Sequence, residues 1–126
     1  MANELILVVE DNEQNQKLAR DVLQVKGYRV LIAESAEAGL PMALAQKPDL
    51  VLMDIHLPGM NGIEALAKLR ADAATRAIPV LAFTASVMPQ DRSQITSAGF
   101  DGFLAKPINL KEFLDTVKRL VEKPRK

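Results

Sequence analysis

Short apolar runs alternate with segments of helical period along the whole chain. The runs are Leu5 to Val9, Val30 to Ala33, Leu50 to Met53, Val80 to Phe83, and Phe100 to Ala105, the last interrupted by Asp101 and Gly102. They are continuously apolar rather than alternating, as strands are when helices cover both faces of a parallel sheet. Between them, spacing puts Leu18, Val22 and Leu23 on the inner face of a first helix that Gly27 ends. Toward the C-terminus Leu110, Phe113, Leu114, Val117, Leu120 and Val121 follow the i, i+3, i+4, i+7 spacing, with Asn109 and Glu112 as a capping pair. One segment fits poorly. The second helix, roughly Ser35 to Gln46, contains Gly39 and Pro41, and an interior proline removes a backbone hydrogen bond, so a kink or a late helix start is expected. Strict alternation of strand and helix predicts a doubly wound α/β fold of five strands and five helices.

The polar residues fall where these strands end. The first strand runs into Glu10 and Asp11, the third into Asp54, the fourth into Thr84 and the fifth into Lys106. Open parallel sheets bind ligands outside the carboxyl ends of their strands, where strand order reverses. With an order of 2-1-3-4-5 the reversal lies between strands one and three. Glu10, Asp11 and Asp54 would then meet, with Thr84 and Lys106 on the neighbouring strands.

Composition narrows the chemistry. The chain has 126 residues and no cysteine, which excludes disulfides, thiolate catalysis and cysteine-ligated zinc. Sixteen basic and sixteen acidic residues balance, and the basic run at the end, within 122–126, reads as a solvated tail to a single domain over 1–126 with its core at about 5–121. No nucleic-acid surface and no membrane segment is expected, and the start lacks a secretory n-region, so a cytoplasmic location is expected. Three carboxylates in one cleft repel unless a cation sits among them. Lys106 is one candidate; an all-oxygen cluster suits Mg²⁺ as the other. A metal, a carboxylate, a lysine and a hydroxyl together describe a phosphoryl-transfer site, with Asp54 as nucleophile and the Thr84 hydroxyl, Lys106 and the metal around the phosphoryl oxygens.

Four segments carry a resemblance: Val9-Glu10-Asp11-Asn12, Leu52 through Gly62 with its Met53-Asp54-Ile55-His56-Leu57-Pro58-Gly59 core, Phe83-Thr84-Ala85, and Leu104-Ala105-Lys106-Pro107. In this order they resemble the receiver domain of two-component response regulators, from Leu5 to about Val121, a flavodoxin-like (βα)5 fold. The resemblance implies that Asp54 accepts phosphate from a phosphohistidine on a sensor histidine kinase or a histidine phosphotransfer protein. It implies Mg²⁺ bound by Asp11 and Asp54, by Glu10 mainly through water, and by the His56 backbone carbonyl. It also implies a cis peptide between Lys106 and Pro107, and a switch in which Thr84 moves toward the phosphoryl group and Phe103 turns inward. The surface of the fourth helix, fifth strand and fifth helix would change for a downstream protein target. Phe103 departs from the tyrosine often found at that position, so a hydroxyl contact to partners is not expected. The side chains of His56 and Ser86 would set how fast water removes the phosphate. Such a chain is no enzyme toward other molecules; it would act as a stand-alone, phosphorelay-type regulator, monomeric or as a phosphorylation-linked homodimer, or else be a receiver cut from a longer protein such as a hybrid kinase, with the stand-alone form favoured.

Three rivals meet obstacles. A haloacid-dehalogenase-type phosphatase needs a second Asp two residues after the nucleophile, where this chain has His56. A flavodoxin-like nucleotide binder needs a Gly/Ser/Thr-rich first loop, where this chain has Glu10, Asp11 and Glu13, which repel phosphate. A degenerate receiver acting as a phosphorylation-independent docking module would have no use for the intact five-residue set.

Overall fold

Each apolar run becomes a strand in the computed structural model, which describes residues 4–55, 57, 59–84, 97–105 and 109–122. The strands are β1 (Leu5–Val9), β2 (Arg29–Ala33), β3 (Leu50–Asp54), β4 (Val80–Thr84) and β5 (Gly102–Ala105). They form one parallel sheet in the order β2-β1-β3-β4-β5, so the reversal lies between β1 and β3 as expected. Successive side chains leave a strand on opposite faces. Ile6, Val8, Leu50, Leu52, Leu81 and Phe83 enter one core, and Leu7, Val9, Val51, Met53 and Val80 enter the other. Both faces are therefore dry, which is why the runs carry no polar alternation.

Helices α1 (Glu13–Val25) and the C-terminal helix (Leu110–Glu122) supply Ala19, Leu23, Phe113, Val117 and Leu120 to the first core. Helices α2 (Ala36–Gln46) and α3 (Gly62–Ala71) supply Ala36, Ala43, Ala65, Leu66 and Leu69 to the second. The expected fourth helix falls largely on residues 85–96, outside the described residues, as do 123–126 of the expected tail; Glu122 belongs to the C-terminal helix. Among the described residues no helix is long and apolar enough to cross a membrane.

Local chemistry sets the helix ends. The Asn12 side chain caps α1 by accepting from the Asn15 N–H at 3.0 Å. Gly27, at φ 91, closes α1 with its N–H donating to the Gln24 carbonyl while Tyr28 N–H reaches Leu23. Asn109 accepts from Glu112 N–H at 3.0 Å, as its spacing predicted.

Four expectations need correction. Leu18 does not line the inner face of α1: it is 39% exposed, while Ala19 and Leu23 are buried and Val22 packs against them. One residue is about 100° of helix, so Leu18 stands a quarter-turn from Ala19. Leu110 is likewise 47% exposed in the first turn of its helix. Helix α2 does not start late: Ser35 caps it through Ala38 N–H at 3.1 Å, and the helix continues through Pro41. Pro41 is exposed, so water can reach the Glu37 carbonyl that its missing N–H leaves unpaired within the helix. Gly39 has a packing reason, since a Cβ there would come 2.9 Å from Val9 Cγ2. The fifth strand starts at Gly102 rather than Phe100, because Asp101 is taken up by a polar junction.

At that junction Asp101 N–H donates to the Val80 carbonyl at 2.9 Å, and Asp101 Oδ2 accepts from Val80 N–H and from Arg70 Nη2, both at 2.8 Å. Arg70 Nη1 also donates to the carbonyls of Arg76 and Ile78 at 3.0 and 2.7 Å. One carboxylate thus joins α3, the start of β4 and the entry to β5. Asp101→Ala is expected to lower unfolding free energy by about 2–3 kcal/mol in urea titrations, because a partly buried N–H and a guanidinium both lose their acceptor. Asp101→Asn, which keeps one oxygen for Val80, should cost about half as much; an alanine variant as stable as the parent would contradict this role.

Candidate functional site

Parallel pairing brings the acidic strand ends together. Val9 is level with Met53, so Glu10, one residue on, comes beside Asp54, the last residue of β3. Glu10 N–H still bonds the Ala33 carbonyl at 3.0 Å, continuing the β1–β2 ladder, and so its side chain is held rather than trailing in a loop. Glu10 is 0% and Asp54 4% exposed, while Asp11 is exposed at the rim. One carboxylate oxygen from each of the three lies within 4.8 Å of the others. Two buried carboxyl groups and a third at the surface thus make up the cluster.

The surrounding turns are tightly tied. Glu10 Oε2 accepts from Asn12 N–H at 3.1 Å, and the Gln16 side-chain amide donates to the Glu10 carbonyl at 2.6 Å. The start of α3 is pressed on the end of β3: Gly62 N–H donates to the Ile55 carbonyl at 3.1 Å, and a Cβ at Gly62 would come 2.6 Å from the Asp54 carbonyl oxygen. Only glycine permits that approach without moving backbone. Asn61 and Glu64 close a capping box over the same turn, at 2.9 and 3.1 Å. On the outer side Glu37, in the first turn of α2, accepts from Met60 N–H at 3.1 Å.

The structure therefore unites Glu10, Asp11 and Asp54 as expected. Thr84 ends β4, the strand beside Asp54, and Ala105 ends β5 level with it. The Thr84 side chain, His56, Ser86, Lys106 and Pro107 lie outside the described residues. Phe103, level with Ala82, is half-buried and packs against the small cluster that Ala82 forms with Ile55, the residue after Asp54. Gln16, Glu37 and Gly62 were missed as site residues. The Asn61-Gly62-Ile63-Glu64 spacing signals the capping box; Glu37 meets Met60 from 23 residues away, which no local spacing signals.

A groove of about 740 Å³ opens elsewhere, at the amino ends of the strands, lined by Glu4, Lys26, Tyr28, Lys118 and Glu122 among others. Burial, then Glu4 and Glu122, pushes the Tyr28 hydroxyl above the usual tyrosine range. Its charges are mixed and spread, unlike the single-sign cluster at the carboxyl ends.

Comparison with known proteins agrees with the geometry. Residues 6–118 match the family model described as the response regulator receiver domain. The polar-differentiation response regulator DivK of Brucella ovis is 40% identical over 113 residues, 90% of this chain and 92% of that protein. The receiver domain of a sensor histidine kinase from Pseudomonas aeruginosa, solved with a magnesium ion coordinated in its active-site cleft, superposes with a TM-score of 0.89 at 33% identity, covering 96% of this chain and 99% of that one. The chemotaxis protein CheY4 of Vibrio cholerae gives 0.88 at 26% identity, covering 94% and 98%.

Three carboxylates this close repel one another when all are ionised. Asp54→Asn is expected to raise its thermal midpoint in chelator-treated buffer by roughly 3–6 °C, corresponding to about 1 kcal/mol of relieved repulsion. A midpoint equal to or below the parent's would show that the charges are not in tension.

Proposed function

The chain belongs to the response regulator receiver domain family, and from that premise we propose that it is a phosphorylation-operated switch whose acceptor is Asp54. The convergence of Glu10, Asp11 and Asp54 within 4.8 Å, at the reversal of strand order, carries the reading. Oxygen donors of this number and charge fit Mg²⁺, which takes one or two carboxylates and keeps several waters. Glu10, Asp11 and Asp54, with the His56 backbone carbonyl, would hold it, and when bound it supplies positive charge to the phosphoryl oxygens.

The chain's own residues do the rest. An Asp54 carboxylate oxygen attacks phosphorus of a phosphohistidine on a histidine kinase or phosphotransfer protein. The P–N bond breaks as the P–O bond forms, and the departing imidazole nitrogen takes a proton from solvent. Lys106 and the Thr84 hydroxyl meet the remaining charge. In the reverse of activation, water attacks phosphorus, the bond to Asp54 breaks, and inorganic phosphate leaves; His56 and Ser86 govern that water's access. The protein thereby acts only on itself.

Output follows from charge. Phosphorylation adds roughly 1.5 to 2 negative charges and three acceptor oxygens at the sheet edge. Thr84 answers first, and Phe103, already packed against the cluster of Ile55 and Ala82, follows inward. The phosphoryl group shifts the two-state equilibrium by its differential affinity for the two states. A cytoplasmic downstream protein, or a second copy of the chain, reads the altered surface around β5 and the C-terminal helix.

Intact-mass measurement after incubation with acetyl phosphate tests this. The parent should gain one phosphoryl group with Mg²⁺ and none with chelator, and Asp54→Asn should gain none under either condition. A folded parent that stays unlabelled would favour the docking-module reading.

A further inference from the structure

Helix α2 takes no direct part in the acidic cluster, yet it reaches the connection that follows Asp54. The Glu37 carboxylate accepts from Met60 N–H at 3.1 Å. It lies in the hollow beside Gly59, at φ +75, where a Cβ would come 2.7 Å from Glu37 Oε2. Gly59 is therefore required twice, once by its left-handed backbone and once to leave room for this carboxylate. The Glu37 backbone N–H, and then that of Met60, holds the Glu37 carboxyl below the usual carboxylate range. The connection is thus fixed at two points: Gly62 against Asp54 and Ile55 on the inside, and Met60 against Glu37 on the outside.

We propose that Glu37 is a positioning residue for the phosphoacceptor site: by holding Met60 it fixes the connection between Asp54 and α3, and so sets how readily the carboxylate cluster takes a divalent cation. This rests on the reading of Asp54 given above. The connection begins with the residues immediately after Asp54 and is anchored on the Asp54 carbonyl side by Gly62. Met60 stands two residues before Gly62, so slack at Met60 reaches the acceptor through the Gly62 contact with the Asp54 carbonyl. Groups that orient metal ligands without touching the metal typically change metal affinity by roughly 10- to 100-fold when removed. Glu37 is exposed and its bond is open to water, so the expected effect is smaller.

The test uses the full chain as parent, Glu37→Gln and Glu37→Ala. Mg²⁺ alone is titrated by calorimetry, the Met60 amide signal is followed by ¹⁵N NMR, and urea titration checks that each variant is folded. Glu37→Ala should shift the Met60 amide proton upfield and weaken Mg²⁺ binding by about three- to tenfold. Glu37→Gln keeps an acceptor oxygen and should recover most of both losses. An unmoved Met60 signal, or unchanged Mg²⁺ affinity, in folded Glu37→Ala would overturn the proposal. So would a Glu37→Gln variant as weak as Glu37→Ala, since that pattern belongs to loss of a distant negative charge. A parent that binds no Mg²⁺ would instead remove the phosphoacceptor reading and the metal half of this one, while the Met60 signal still decides whether the clamp exists.

Discussion

Two strands that end level with each other, each on a buried carboxylate, impose the constraint around which this protein is arranged. The β1–β3 register sets Glu10 beside Asp54 with almost no exposure for either. Burying like charges side by side is costly unless hydrogen bonds and a cation compensate. The backbone bond from Asn12 to Glu10, the Gln16 amide on the Glu10 carbonyl and the pressed start of α3 hold the geometry. Carboxylates brought this close favour the arrival of positive charge, which is what the proposed switch would use.

The rest of the fold makes that tension bearable. Two apolar cores, one on each face of the sheet, fix β1 and β3 with side chains that have essentially no exposure. Opposite the site, the strands are tied by polar junctions of a different kind, in which Asp49 receives Leu5 N–H and Asp101 receives Val80 N–H with Arg70. Those carboxylates each have donors facing them and resolve their charge locally. At the other end of the sheet the acidic side chains of Glu10, Asp11 and Asp54 converge on one another instead.

How much of this is legible in the sequence depends on the range of the contact. Continuous apolar runs ending on acids place the strands and bring Glu10, Asp11 and Asp54 to one end, because strand order turns local position into proximity. Asn109, three residues before Glu112, signals its cap at the range where the bond forms. Leu18 misleads because an apolar residue at the flank of a helix satisfies the periodicity without being covered. Pro41 misleads because the cost of an interior proline falls on a carbonyl at the exposed face, where water can take the place of the missing donor. Phe100 belongs to an apolar run but precedes the Asp101 junction, which decides where pairing begins. Glu37 and Gln16 are ordinary polar residues on helix surfaces until the fold brings a backbone N–H or carbonyl to them.

The most direct measurement of the central claim is the position of the modified residue. An acyl phosphate, unlike a phosphate ester or phosphohistidine, is reduced by borohydride to an alcohol, converting the acceptor aspartate to homoserine. Peptide mass spectrometry of the chain treated with acetyl phosphate and Mg²⁺, then borohydride, should find that conversion at Asp54, with Asp11 and every other aspartate intact. Conversion at another aspartate, or a label that survives borohydride on a hydroxyl residue, would contradict the account.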